Sequence, residues 1–205
     1  MTCRSLHAAG LAALLATTAA SLPHPAAAQA AGDGAKAHAA IKDAQGKSVG
    51  HATLTQMAHG VVIVAELSGL PPGQHGFHIH AIGKCEPPAF TSAGPHFNPT
   101  GHKHGYNAEA GPHLGDLPNV IVATDGKATV DVWVADLSLG DSHVASGTST
   151  PDKPAAGGAQ TASSNAHNVF DQGGATLIIH AKVDDYASDP AGNSGDRIAC
   201  GVIER

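Results

Sequence analysis

The residues in this chain best suited to chemistry are its histidines, fifteen in 205 residues. His78 and His80 lie two apart in Gly76-Phe77-His78-Ile79-His80. On a strand that spacing points both imidazoles to one face and sends Phe77 and Ile79 to the other. His180 ends the apolar run Ala175-Thr176-Leu177-Ile178-Ile179, where an imidazole needs a partner. A Gly/Pro-rich stretch adds His96, His104, His113 and Asp116, each with Gly or Pro at or near its side. Neutral imidazole suits both zinc and copper, and a carboxylate completes a tetrahedral zinc set. A polar, His-rich loop without metal is the competing reading.

The other histidines read differently. His75, just before the pair, reads as a buried, hydrogen-bonded structural residue. His38, His51, His59, His102, His143 and His167 stand alone in polar or turn settings and read as surface side chains, while His7 and His24 fall in the N-terminal segment.

These groups need elements to position them. Short runs rich in Val, Ile and Thr predict strands at 35–43, 48–57, 60–68, 76–82, 119–124, 127–134, 176–183 and 199–204. Turn residues at Asp43 to Gly46, His59-Gly60 and Asp125-Gly126 separate several of them, which favours antiparallel pairing. No amphipathic helical run of useful length is present. The fold class is therefore all-β, a barrel or sandwich with Greek-key connections. Two long segments, 83–118 and 135–175, do not read as strand, and long loops in compact domains are functional or disordered. The first is assigned to function and 146–164 to a flexible insertion.

The N-terminus carries Arg4, an uncharged stretch from Leu6 to about Ala20, and the small-residue run Pro25 to Ala30. That is the order of a secretory signal peptide, with cleavage expected after Ala30. Its apolar part is too short and too interrupted to span a bilayer. Removing 30 of 205 residues leaves 175, one domain, at 31–205. Arg4 leaves with the leader and no acid does, so 11 basic residues become 10 against 17 acidic ones, a formal charge of −7. Such a chain is a poor nucleic-acid binder.

Cys3 also falls in the leader. Cys85 and Cys200 remain, and an even pair in an exported chain favours a disulfide. The alternative of thiolate metal ligands is weak, since neither belongs to a Cys-x-x-Cys pair.

Six motifs occur in an order that resembles the copper/zinc superoxide dismutases over nearly the whole mature chain. They are Gly76 to His80, Gly94 to Pro99, Lys103-His104-Gly105, His113 to Leu117, Ile179 to Asp185 and Arg197 to Val202. The resemblance implies an eight-stranded Greek-key barrel. It implies one copper on His78, His80, His96 and His180, and one zinc on His96, His104, His113 and Asp116, with His96 bridging as an imidazolate. It further implies that His96 leaves copper and is protonated when copper is reduced by one superoxide, and that a second superoxide reoxidises the metal and leaves as hydrogen peroxide. Asp184 matches the carboxylate that joins His78 to His104, while Asp185 reads as a solvated surface acid. Arg197 matches the arginine that attracts and docks superoxide beside copper, although the chain as a whole is acidic.

The chain also departs from the family. Segment 186–196 is shorter and less charged than in many eukaryotic members, which leaves Lys182 and Lys103 as further candidates for steering. The insertion leaves both monomer and homodimer open. An exported copper carrier on the same scaffold, a zinc hydrolase and a structural adhesion domain are the alternatives from other classes. Asp116 closes the water position that a hydrolase would need. The leader and the short loop favour a bacterial periplasm, with an extracellular location second.

Overall fold

The computed structural model describes residues 34–140 and 167–205. The expected leader at 1–30 and insertion at 146–164 lie outside them. Eight strands form one antiparallel sheet: β1 Lys36–Asp43, β2 Ser48–Met57, β3 Gly60–Leu67, β4 Gly73–His80, β5 Asp116–Val122, β6 Ala128–Ala135, β7 Thr176–His180 and β8 Arg197–Val202. Their spatial order is β5-β4-β7-β8-β1-β2-β3-β6. β5 and β6, the two ends of that order, also touch, so the sheet curls into a nearly closed barrel with non-sequential, Greek-key neighbours. Among the described residues no helix is long and apolar enough to cross a membrane.

Alternation sorts the strands. In β1, Ala37, Ala39 and Ile41 point inward while Lys36, His38 and Lys42 are exposed. The turn from β1 to β2 forms where expected, with the Asp43 carboxylate accepting the N–H groups of Gln45 and Lys47. β4 and β7 depart from one-sided burial, because every residue of β7 is buried and so are the last six of β4. Phe77, Ile79, Leu177 and Ile179 fill the barrel. The outer face of the same strands carries His78, His80, Ile178 and His180, and the loop between β4 and β5 folds over it. Under that loop Phe90, Ala93, Ile178 and Cys200 make a second small core.

Three boundaries differ from expectation in a way that matters. β5 begins at Asp116 rather than at 119, because Asp116 pairs with His78 across the β4–β5 ladder. β7 stops at His180, where the register shifts before Arg197 of β8. β8 correspondingly begins at Arg197 rather than at 199.

Cys85 and Cys200 form a disulfide across 115 residues, tying the covering loop to β8. A closed loop of that length stabilises a fold by about 4 to 5 kcal/mol in the chain-entropy model. Replacing both cysteines with serine is expected to lower unfolding free energy by about 2 to 5 kcal/mol in denaturant titrations. A loss well under about 1 kcal/mol would show that the loop is held without the bond.

Candidate metal centre

β4 supplies His78 and His80, and β7 supplies His180. His96 comes from the loop but is aligned as if it were strand, because Ala81 N–H donates to Pro95 O at 2.9 Å and Phe97 N–H to Ile79 O at 2.8 Å. Gly115 completes this register, donating to Phe97 O and accepting from Ile79 N–H. A Cβ at Gly115 would collide with the Ile79 carbonyl, so only glycine lets the loop lie this close to β4.

Two groups of four side chains result, with ligand atoms within 4.8 Å of one another in each. One is His78, His80, His96 and His180; the other is His96, His104, His113 and Asp116. His96 belongs to both. All seven residues are buried, at 7% exposure or less.

In the first group the hydrogen bonds assign which nitrogen is free. His78 Nε2–H donates to Asp184 Oδ2 at 2.7 Å, His80 Nδ1–H to Gly94 O at 2.8 Å and His180 Nδ1–H to Gly195 O at 3.0 Å. A neutral imidazole that donates from one nitrogen carries a lone pair on the other. The opposite nitrogens, His78 Nδ1, His80 Nε2 and His180 Nε2, have no hydrogen-bond partner, and neither does His96 Nε2. Four buried lone pairs thus converge on one another.

The second group has the spacing of a tetrahedral ion. Asp116 Oδ1 lies 2.7 Å from His96 Nδ1, 3.1 Å from His104 Nδ1 and 3.2 Å from His113 Nδ1, and the last is 3.4 Å from His96 Nδ1. Ligands about 2.0 to 2.1 Å from zinc in a tetrahedron stand roughly 3.3 Å apart. The residues present therefore fit a zinc ion. The all-imidazole first group fits copper.

Burial favours the neutral form of three of the imidazoles, His80, His96 and His180. Burial, opposed by the hydrogen bond to Asp116, lowers His96 to about 4. Burial and the neighbouring His78 lower His180 to about 3. His80 is pushed well down by burial and by His96. Burial alone would raise Asp116. Hydrogen bonds from His113, His96 and the Gly105 N–H outweigh it and hold the carboxyl well below the usual range. Its Oδ2 accepts backbone N–H groups from Gly105 and His113, leaving Oδ1 for the cluster.

Asp184 stands behind both groups. Besides His78 it accepts His104 Nε2–H on Oδ1 at 3.0 Å, so one carboxylate links a histidine of each set. Asn119 clamps its backbone, with Oδ1 accepting Asp184 N–H and Nδ2 donating to Asp184 O. Tyr106 and Tyr186 support the same region, through Asp116 O and Asn119 N–H respectively. Sequence reading missed these three: Asn119 meets Asp184 and Tyr186 across 65 and 67 residues, and Tyr106 acts on a backbone carbonyl that residue type does not mark.

Arg197 donates to Phe90 O and to Gly94 O, both at 2.7 Å. Gly94 O is also the acceptor for His80, which places the guanidinium beside the first group. Arg197 lines a cleft with Pro88, Ala89, Thr91, Gly195 and Asp196. The methylenes of Lys182 lie over Gly195, at the edge of this mouth. Lys103 lines a separate cleft with Asn107 and Glu109.

The remaining histidines stay outside both groups. His75 is buried between the carbonyl oxygens of Pro71 and His180, at 2.9 and 2.8 Å, a structural position as expected. His38, His51 and His59 are exposed. His102 and His167 are half-buried, with Nδ1 facing the carbonyls of Pro112 and Asp136; His143 lies outside the described residues. Asp185 is exposed, as expected of a surface acid, and its carboxylate also accepts four protein hydrogen bonds.

Comparison with known proteins agrees with this geometry. The family described as copper/zinc superoxide dismutase matches residues 48–150 and 154–203. The chain is 43% identical over 170 residues to Cu-Zn superoxide dismutase 1 of Aquifex aeolicus, covering 82% of this chain and 88% of that protein. It is 33% identical over 186 residues to the Cu-Zn superoxide dismutase of Escherichia coli, covering 86% and 91%. A solved SOD-like protein from Bacillus subtilis superposes with a TM-score of 0.66 at 35% identity, covering 80% of this chain and 96% of that one. With its barrel, its paired donor groups and these relatives in agreement, the chain belongs to the copper/zinc superoxide dismutase family.

Proposed function

We propose that this protein is a superoxide dismutase in which His78, His80, His96 and His180 hold copper, and His96, His104, His113 and Asp116 hold zinc. The observation that carries this reading is the set of buried imidazole nitrogens without hydrogen-bond partners, His78 Nδ1, His80 Nε2, His96 Nε2, His104 Nδ1 and His180 Nε2. Each unpaired buried polar atom costs roughly 1 to 3 kcal/mol, and ligation at all five sites removes that cost. Copper, when bound, supplies the one-electron oxidation and reduction by which two superoxides and two protons become dioxygen and hydrogen peroxide, and zinc supplies a fixed charge without redox chemistry of its own.

The chain's residues do the rest. His96 turns Nε2 to the first group and Nδ1 to the second, and an imidazole between two dications can lose its second proton. Its Nε2, buried and without a hydrogen-bond partner, is the atom that would carry a proton whenever it is not a ligand. Asp184 fixes the rings of His78 and His104, and such outer partners tune ligand orientation and basicity. Arg197 offers a cation at the mouth, fixed by two carbonyls rather than by an acid. Lys182 adds to its field, and the exposed Asp196 opposes it. A copper carrier would need the donor sets but not this placed guanidinium.

Export to a bacterial periplasm is supported by the leader-like order of residues 1–30 and by the Cys85–Cys200 bond, which an oxidising compartment sustains.

Replacing Arg197 with Ala is expected to leave copper and zinc content unchanged. It should lower the rate of superoxide removal by roughly tenfold or more and flatten its salt dependence, within the range charge steering spans. Asp196→Asn should move the rate the other way. Stopped-flow or pulse-radiolysis rates at low and high ionic strength test both, and unchanged kinetics in Arg197→Ala would remove the steering role. His96→Ala should loosen both metals, so normal stoichiometry of each by elemental analysis would contradict a shared ligand.

A further inference from the structure

Asp184 can link His78 to His104 only if its carboxylate stays where it is. Tyr186 N–H holds Oδ1 from one side at 2.7 Å. Gly192 stands against the other side. A Cβ on Gly192 would overlap Asp184 Oδ1 and come within 2.7 Å of His104 Nε2, so the bare backbone forms a wall touching both partners of the hydrogen bond. Gly192 also has φ +62°, a conformation that glycine adopts without strain.

What brings Gly192 there is a tight return of the chain. Asp185 N–H donates to Gly192 O at 2.9 Å, and Gly192 N–H donates to Ser188 O at 2.6 Å. The Asp185 side chain closes this return. Its Oδ1 accepts the N–H groups of Ala187 at 3.0 Å and Ser188 at 2.8 Å. Its Oδ2 accepts Ser188 Oγ–H at 2.7 Å and an Asn193 Nδ2–H at 2.9 Å. An exposed carboxylate has water available at no cost, so four protein donors on one such group mark a loop built around it. Asn193 is the next residue after Gly192, and anchoring it fixes the wall.

We propose that the clasp of Asp185, Ser188 and Asn193 holds Gly192 against the Asp184 carboxylate. The clasp and Gly192 are then positioning residues for both metals, acting through Asp184. The inference rests on the proposed ligand sets. Its physical content is that Asp184 has no room to turn away from His104, so the Nδ1 atoms of His104 and His78 keep their aim.

The test is zinc release to a chromogenic chelator from protein loaded with copper and zinc, at a temperature where all variants stay folded, together with the Cu(II) electron paramagnetic resonance spectrum. Gly192→Ala pushes the carboxylate aside, and Asp185→Ala opens the clasp without introducing a clash. Each is expected to release zinc about 10 to 100 times faster, the range for losing an outer partner of a metal ligand, and to alter the copper spectrum. Asp184→Asn should do the same, and in its background neither other substitution should add further, because residues acting through one group are not additive. Faster release that adds fully to that of Asp184→Asn would overturn the proposal. So would parental zinc release and copper spectra in both Gly192→Ala and Asp185→Ala when Asp184→Asn is impaired; that result would leave the ligand sets standing. If Asp184→Asn itself released zinc at the parental rate, the link between the two sets would fall and the role of the clasp with it.

Discussion

Much at this site depends on four of the imidazoles being tied down by the nitrogen that faces away from the donor clusters. His78 and His104 are held by Asp184, His80 by Gly94 O and His180 by Gly195 O. That single constraint fixes the tautomer, the ring plane and the direction of the remaining lone pair. It also makes the centre costly without metal, because lone pairs left unpaired in the interior forgo water and gain nothing. Those outer hydrogen bonds fix where the lone pairs point, and the rest of the fold supplies the stability to hold them so.

The barrel supplies it in two layers. Inward-facing Phe77, Ile79, Leu177 and Ile179 are fully buried, which leaves the opposite faces of β4 and β7 free to carry histidines. The covering loop then excludes water from them, pinned by backbone bonds to β4, by its small apolar core and by the disulfide to β8. Asp116 belongs to both layers, as the first residue of β5, the cross-strand partner of His78 and the carboxylate of the second group. A change in the register of β4 and β5 would therefore disturb both donor sets at once.

Much of this was legible in the sequence. The His78-x-His80 spacing on a strand, the turn signals and the Val/Ile-rich runs led to the barrel and to one face for the pair. The donors of the covering loop were visible because Gly and Pro surround them. The supporting network was not, since it runs through backbone carbonyls such as Gly94 O and Gly195 O, which have no signature in residue type. Asn119 meets Asp184 and Tyr186 only because β5 and the segment after β7 lie side by side. Asp185 is the surface acid its polar context suggested, but the four donors gathered on it by a turn were not readable. Boundaries shifted where side-chain needs outweighed strand preference, as at Asp116 and His180.

The central claim is that these donor groups form one copper and one zinc site that together dismutate superoxide. It is tested most directly by measuring copper and zinc in the purified protein alongside its dismutation rate, before and after selective removal and return of copper. The account predicts about one of each metal per chain, with activity that vanishes with copper and is restored by it. Full copper loading with no activity would contradict it and leave a metal-carrying protein on the same barrel.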